Sequence, residues 1–428
     1  MPDIAIIGGG AAGMAAAIAC KLQGENTEVV IIEKNGELGK KILATGNGKC
    51  NIANANFIHY PQVAEFLENL GILLTEEAEG RVYPNSKEAK DVRELFRFWL
   101  EKLGVTVFKD SEVTDVRTRK DGSFELKILS RSSNLQTNAN VDVSVSTNAD
   151  VVAKSLLIAT GGKAAPQYGT AAGGYALAKK LGHTVTVLRP ALAPIECKGE
   201  FDKLKGVRIF SKVTLRNTKT GEEHSELGEL QFTEKGISGI CVFNLSRNII
   251  LKPENGDLKE AFADYRVRID FMPGCDAQKL EKILKKRFEI FGEAAFSEML
   301  TSMLPKKLAN YILEKTLKEV EFIKVKKIAS LEEDEKTEID RFCSLLARKI
   351  KFAEFEVCSV GGWRTAQVTA GGVPLSEIDE KTFESKLISN LFFAGEILDY
   401  DGICGGYNLA WAFHSGVCAG RRIAECIG

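Results

Sequence analysis

Asp3-Ile-Ala-Ile-Ile-Gly-Gly-Gly-Ala-Ala-Gly13 is the stretch on which the fold turns. Its apolar, β-branched residues from Ile4 to Ile7 carry no charge, so they read as a strand buried on both faces, as in a parallel sheet. Glycines at 8, 10 and 13 then give G-x-G-x-x-G, and Met14-Ala-Ala-Ala-Ile-Ala19 opens a helix of small side chains. Gly8 permits the tight turn, Gly10 lets the backbone approach a pyrophosphate, and Gly13 lets helix and strand pack closely. The first N–H groups of the helix would meet the phosphate charge. A glycine turn alone is common, and its context sharpens this one. A second strand, Glu28-Val-Val-Ile-Ile32, ends at Glu33, the spacing of a carboxylate that binds a ribose hydroxyl. The reading is dinucleotide binding, against a bare βαβ unit with a glycine turn.

At 428 residues the chain is long for one domain, and two or three are expected. Hydrophobic content of 44% and charged content of 27% are those of a soluble globular protein with large cores. Lys+Arg total 57 against 58 Asp+Glu, which argues for neither a nucleic-acid nor a membrane partner. No apolar run approaches the ~20 residues of a membrane span, and no basic region precedes the first apolar run, so that run is a strand and not a signal peptide. Ten cysteines are scattered without a C-x-x-C pair, so neither a zinc site nor a dithiol is indicated. Free thiols and no leader point to the cytoplasm.

After Glu33, the segment from Lys34 to Asn51 holds four glycines, four lysines and three asparagines. It reads as a long ordered loop, of the kind that is usually functional. Lys40 and Lys41 are placed to meet phosphates. Thr45, Gly46, Asn47, Gly48 and Asn51 offer backbone and amide groups to a flat ligand. Residues 61–74 and 86–103 look helical, with Leu95, Phe96, Trp99, Leu100 and Leu103 on a core face. Between them Gly80-Arg-Val-Tyr-Pro-Asn-Ser86 is either a substrate-facing turn carrying Arg81 and Tyr83 or a surface loop. Runs at 105–108, 112–117 and 124–129 alternate like strands of a small antiparallel sheet, and 130–148, with Val141, Val143 and Val145, suggests a surface hairpin. Ser155-Leu-Leu-Ile-Ala-Thr-Gly-Gly162 is another buried strand, whose small residues permit a ligand at the carboxyl edge of a parallel sheet. Gly169-Thr-Ala-Ala-Gly-Gly-Tyr175 opens a helix but follows no strand, so it is not a second dinucleotide turn.

At Arg189-Pro-Ala-Leu-Ala-Pro194 the character changes. Short alternating runs over 195–272 suggest an antiparallel or barrel-like sheet, and 276–349 is charged and helical, with Leu280, Ile283, Leu284 and Phe288 at helical spacing. This argues for an insertion over about 190–357. The small-residue pattern returns at Val368-Thr-Ala-Gly-Gly-Val373. The strand Asn390-Leu-Phe-Phe-Ala-Gly-Glu396 follows, and Gly405-Gly-Tyr-Asn408 leads into a helix over 409–426. A helix start there can stabilise negative charge. A simple dehydrogenase completes its nucleotide fold early, whereas this second glycine cluster after residue 390 suits a long cofactor that spans the domain, FAD.

Gly8 to Gly13, Glu33, Ala159-Thr-Gly161, Val368-Thr-Ala-Gly-Gly372, Gly395-Glu-Ile-Leu-Asp399 and Gly405-Gly-Tyr-Asn408 together resemble the HI0933-like family of NAD(P)/FAD-dependent flavoprotein oxidoreductases, over nearly the whole chain. The resemblance implies an α/β fold: a glutathione-reductase-like, Rossmann-type FAD-binding domain, split into 1–189 and 358–428. Inserted at 190–357 would be an antiparallel β-barrel (about 190–272) with a helical part (about 276–349). One branch of the family reduces double bonds of a steroid acid. Carried across, Gly8, Gly10, Ala12 and Gly13 would hold the pyrophosphate and Glu33, with Lys34 beside it, the adenosine ribose. Val113 would touch the adenine. Lys40, Lys41 and Thr45 to Gly48 would line the flavin side, and Ala159, Thr160 and Gly161 would also touch the cofactor. Gly395, Glu396 and Asp399 would lie at the ribityl and phosphate region, and Gly406, Tyr407 and Asn408 under the ring. Cys404 departs from the small or hydroxylated residue the family leads one to expect; packing and redox chemistry are both open to it.

The leading reading is thus an FAD oxidoreductase that takes hydride from transient NAD(P)H, or from a substrate, and passes it through flavin N5 to an unsaturated small molecule, or electrons to oxygen. No proton donor stands out. Arg81, Tyr83, Cys404 and Tyr407 are the candidate catalytic side chains, and His414 reads as a core or capping histidine. The other readings are a flavin-containing RNA-modifying or RNA-binding protein and a non-catalytic nucleotide-binding protein. For the RNA reading, Lys324, Lys326 and Lys327 are cancelled by Glu332-Glu-Asp-Glu335. Substrate, hydride donor and oligomeric state are not legible.

Overall fold

Every residue of Ile4–Ile7 is buried, and the strand sits at the centre of a five-stranded sheet in the order Leu391–Phe393, Ser155–Ile158, Ile4–Ile7, Val29–Ile32, Thr106–Phe108. All four pairings are parallel. This is the architecture that fully apolar, β-branched runs require, because helices cover both faces of such a sheet. The computed structural model describes residues 1–130, 135–136, 142–143, 148–169, 172–250, 262–291, 296–319 and 333–427. It divides into two compact units, Met1–Ala191 with Trp363–Gly428, and Leu192–Gly362.

In the first unit the strand contributed by Leu391–Phe393 is an edge of the sheet, so the two ends of the chain share one core. The helix Ala11–Gln23 packs against the last helix, Tyr407–Ile427. The approach is backbone to backbone: a Cβ on Gly416 would stand 2.3 Å from the Ala12 carbonyl oxygen, and one on Gly420 2.2 Å from that of Ala16. Residues four apart share a helix face, so two glycines on one helix meet two alanines on the other. The run Thr106–Phe108 differs from its reading as part of an antiparallel sheet. It pairs in parallel with Val30 to Ile32 as the fifth strand. The antiparallel sheet is instead Ser111–Thr118, Phe124–Ser130 and Asn148–Ala153. Of the hairpin expected over 130–148, Leu135–Gln136 pairs antiparallel with Asp142–Val143, while Val141 and Val145 lie outside the described residues.

The helix expected over 61–74 spans Tyr60–Asn69. Gly71 adopts a left-handed φ of 84° that ends it, and Leu74–Glu76 continues as a strand. That strand, Arg81–Pro84 and Ala53–Asn54 form a small antiparallel sheet, so the Arg81 segment is a strand and neither of the two loops considered for it.

The second unit is a closed antiparallel barrel in the order Ile195–Cys197, Gly236–Ser238, Glu223–Phe232, Arg208–Asn217, Tyr265–Asp270, Ala353–Val360. Inward and outward positions alternate cleanly along Tyr265–Asp270, as one-faced strands do. The helical turn Phe201–Leu204 and the short helix Ile240–Ser246 lie between the barrel's strands. Helices Ala277–Phe291, Lys306–Glu319 and Glu333–Lys351 supply the helical part. Leu280, Leu284 and Phe288 are buried along one face of the first, in a core distinct from that of the sheet. Lys324, Lys326, Lys327 and Glu332 lie outside the described residues.

Candidate cofactor and active site

The glycine turn is built as its residue types require. Gly8 has a φ of 105°, and a Cβ there would stand 2.5 Å from the Ala159 carbonyl oxygen; one on Gly13 would stand 2.0 Å from the Gly8 carbonyl oxygen. A Cβ on Gly10, by contrast, would meet no atom within 4 Å. No side chain caps the helix that begins at Ala11, so its opening N–H groups are left to the space beside Gly10. Glu33 is buried, and its Oε2 accepts the Gly9 N–H at 2.7 Å while Oε1 accepts the Asn35 N–H at 2.8 Å. The carboxylate therefore braces the turn, and Oε2 keeps a lone pair for a hydroxyl donor. Beside it, the Ser111 N–H donates to the Glu33 carbonyl at 3.0 Å, and Val113, two residues further on, is half-buried. Lys34, half-buried, follows directly.

The loop after Glu33 returns to the turn, since the Gly39 N–H donates to the Gly9 carbonyl at 2.9 Å. Lys40 is half-buried next to it, and Lys41 pairs with Glu396 at 2.6 Å. The other oxygen of Glu396 accepts the Thr369 N–H at 2.9 Å. Lys41 and Glu396 thus form an ion pair across the two segments. Thr45 Oγ1 donates to the Ile42 carbonyl at 2.6 Å, and Gly46, Asn47 and Gly48 follow in left-handed conformations. Cys50 is buried, and desolvation pushes its thiol up to about 12 against the hydrogen bond to Thr45. It is an inert packing group.

The end of the chain comes to this same segment. A Cβ on Gly406 would stand 2.1 Å from the Ala53 carbonyl oxygen, and Asn54 Nδ2 donates to the Gly405 carbonyl at 2.8 Å. The Asn51 amide donates to the Ala53 and Val82 carbonyls at 2.9 and 3.1 Å. Gly395 lies over the turn: a Cβ there would be 3.0 Å from that of Ala12, and its N–H donates to Ser415 Oγ at 2.9 Å. Ala159 and Thr160 border Gly8, the Ala159 N–H donating to the Ile7 carbonyl at 2.9 Å, and Gly161 follows with a left-handed φ of 73°. Asp399 accepts the Thr186 hydroxyl at 2.8 Å, and the Asn408 side chain closes the Gly402 loop, accepting its N–H at 2.8 Å and donating to its carbonyl at 2.9 Å. Tyr407 is the first residue of the last helix, and Cys404 is half-exposed just before it.

The structure therefore gathers the pyrophosphate-side and flavin-side candidates into one unit, with Arg81 and Tyr83 beside the latter. Asp399 and Asn408 are committed to neighbouring chain. Asn54 and Thr369 were not singled out as site residues. Both are buried and bridge distant segments, Thr369 Oγ1 accepting the Lys163 and Ala164 N–H groups at 2.7 and 2.9 Å. The trace of Asn54 in the sequence is a polar residue inside an otherwise buried run, whereas Thr369 lies within the Val368–Gly372 motif. His414 is a core residue, stacked on His59 with ring centres 3.9 Å apart.

These residues fit FAD. The space at Gly10, the uncapped helix start and the remaining acceptor on Glu33 match a pyrophosphate and a ribose. From Gly416, which touches Ala12, the last helix rises about 13 Å to Tyr407, the order of length of a ribityl chain with its ring. Fold and site define a flavoprotein, an FAD-dependent oxidoreductase. The family model described as HI0933-like protein Rossmann domain matches residues 56–422, and one described as FAD binding domain matches 3–56. The chain belongs to the HI0933-like family. It is 34% identical, over 99% of its length and all of the relative's, to a 3-dehydro-bile acid delta(4,6)-reductase of Clostridium scindens. It is 28% identical, over 98% of both chains, to a ribosomal RNA dihydrouridine synthase of Haemophilus influenzae. Among solved structures, the open conformation of a flavocytochrome c3 fumarate reductase aligns with 99% of this chain and 78% of that one, at 14% identity and a TM-score of 0.46.

Proposed function

We propose that this chain passes hydride equivalents from NAD(P)H to an unsaturated small molecule, with oxygen as the other acceptor. Bound FAD supplies the two-electron chemistry, accepting and releasing hydride at N5. The observation that carries the reading is the meeting of Gly395 with Ala12 and of Gly405–Gly406 with Ala53 and Asn54, which brings both ends of the chain to one extended cofactor. In this reading Gly8, Gly10, Ala12 and Gly13 bind the pyrophosphate, Glu33 orients the ribose, and the start of the last helix favours negative charge on the ring. The Lys41–Glu396 pair holds the two glycine segments together. A name that denotes reduction of bile-acid double bonds, in a relative matched over its full length, supports the acceptor class. A cytoplasmic setting belongs to the same proposal, supported by ten free cysteines.

A second reading, modification of RNA, is favoured by the name of the Haemophilus influenzae relative. The near-equal counts of acidic and basic residues weigh against it. Anaerobic mixing of yellow holoprotein separately with NADH and NADPH tests the donor: bleaching near about 450 nm is expected. Bleaching by neither would remove the nicotinamide part. Salt-dependent binding of ribosomal RNA would favour the second reading.

A further inference from the structure

Along Arg81–Pro84, Arg81 and Tyr83 are half-buried on one face while Val82 and Pro84 are buried on the other. The exposed face looks onto both left-handed glycine segments of the site. A Cβ built on Gly405 would stand 3.9 Å from Arg81 Cγ and 4.0 Å from its Nε, and one on Gly46 would stand 3.6 Å from Tyr83 Cε1. The strand is held from both sides, by Ala53 against Val82 and by Thr75 against Tyr83. Asn54 ties it further, donating to the carbonyls of Gly405 and Glu79 at 2.8 and 3.2 Å. Arg81 is therefore placed by backbone pairing. Its Nη2 pairs with Glu79, a largely exposed side chain. Among the described residues, Nε and Nη1 have no protein partner.

We propose that Arg81 anchors the substrate through the carbonyl oxygen conjugated with its double bond, the acceptor class itself being the one that the name of the 3-dehydro-bile acid delta(4,6)-reductase denotes for that relative. This rests on the double-bond reduction proposed above and narrows it. When hydride adds to the β-carbon, the carbon–carbon π pair moves to join the α-carbon and the carbonyl carbon, and the carbonyl π pair comes to rest on oxygen as an enolate. A proton from solvent then reaches the α-carbon. Reduced FAD loses two electrons and the double bond gains them. A guanidinium, always charged and presenting several donors, stabilises that oxygen more as negative charge grows on it than in the neutral substrate. An isolated alkene has no such oxygen and gains nothing from Arg81.

The test uses the holoprotein with Arg81→Gln, Arg81→Lys and Glu79→Gln. The probes are 2-cyclohexenone and 4-androstene-3,17-dione. Binding to the oxidised protein, read as a perturbation of flavin absorbance, involves no turnover. Anaerobic reoxidation of the pre-reduced protein reports the reaction. The expectation for Arg81→Gln is enone binding about tenfold weaker and reoxidation slower by about 10²–10³-fold, with FAD content and melting temperature unchanged. Arg81→Lys should recover part of the rate, and Glu79→Gln should bind the probes at least as tightly. Wild-type protein that is reoxidised by an enone at the same rate as Arg81→Gln would overturn the assignment of Arg81 alone. Wild-type protein that neither enone reoxidises would overturn the double-bond reading beneath it. Loss of FAD in Arg81→Gln would make the residue a structural support and overturn the anchoring role.

Discussion

At the scale of single residues, the three glycines of the turn separate two demands that the motif merges. Gly8 and Gly13 are required by the fold, because a side chain would enter backbone at 2.5 and 2.0 Å. At Gly10 the chain itself leaves room for a side chain, with no atom within 4 Å of a Cβ built there. Gly10→Ala should therefore leave the stability of the apoprotein unchanged and weaken FAD retention, while Gly8→Ala should lower that stability by about 1–3 kcal/mol. Equal losses of stability would contradict this division. His414 makes a pH prediction. It faces His59, Phe57, Phe383, Trp411 and Cys418, and burial, followed by the charge of His59, lowers its pKa from 6.5 to about 4. Between these values the unfolded chain binds the proton more readily than the folded one. Stability should then be full above about pH 6.5 and fall as pH drops toward 4. In His414→Phe the difference between urea midpoints at pH 7 and pH 5 should shrink.

Elements were legible where one face or both faces announced themselves. The buried strands Ile4–Ile7, Val29–Ile32 and Ser155–Ile158 are continuous apolar runs, and their reading needed no partner. Thr106–Phe108 is one residue shorter than these and alternates, with only Val107 fully buried, so its parallel partner could not be inferred locally. The Arg81–Pro84 strand was hidden by its proline and by the short partners on either side. The last helix was visible from its apolar spacing, but the choice of the first helix as its neighbour was not. That contact rests on Gly416 and Gly420. Gly416→Ala should cost about 1–3 kcal/mol by overpacking against the Ala12 carbonyl, read as a shifted denaturant midpoint with unchanged m-value. A neutral result would show that the two helices separate easily.

For the whole molecule, two cores divide the stability. One joins both chain ends around the parallel sheet, and the other fills the barrel and its helices. A cofactor bound only by the first should stabilise that unit by mass action, about 2.7 kcal/mol at a hundredfold excess over its dissociation constant. Calorimetry of apoprotein titrated with FAD should then show one FAD-dependent transition, belonging to the unit formed by Met1–Ala191 and Trp363–Gly428. If all unfolding moved together with FAD, the two cores would not melt independently. Among the described residues no helix is long and apolar enough to cross a membrane.

The sequence by itself determined the parallel sheet, the glycine turn with its carboxylate and the change of character after Pro190, because each is written in a local pattern of apolar spacing, small residues or charge. Only the tertiary structure decided that Lys41 pairs with Glu396, that Asn54 holds Gly405, and that Arg81 and Tyr83 face the glycine segments. Those facts depend on which strand lies beside which, and contacts between residues hundreds of positions apart leave no periodic mark on the chain.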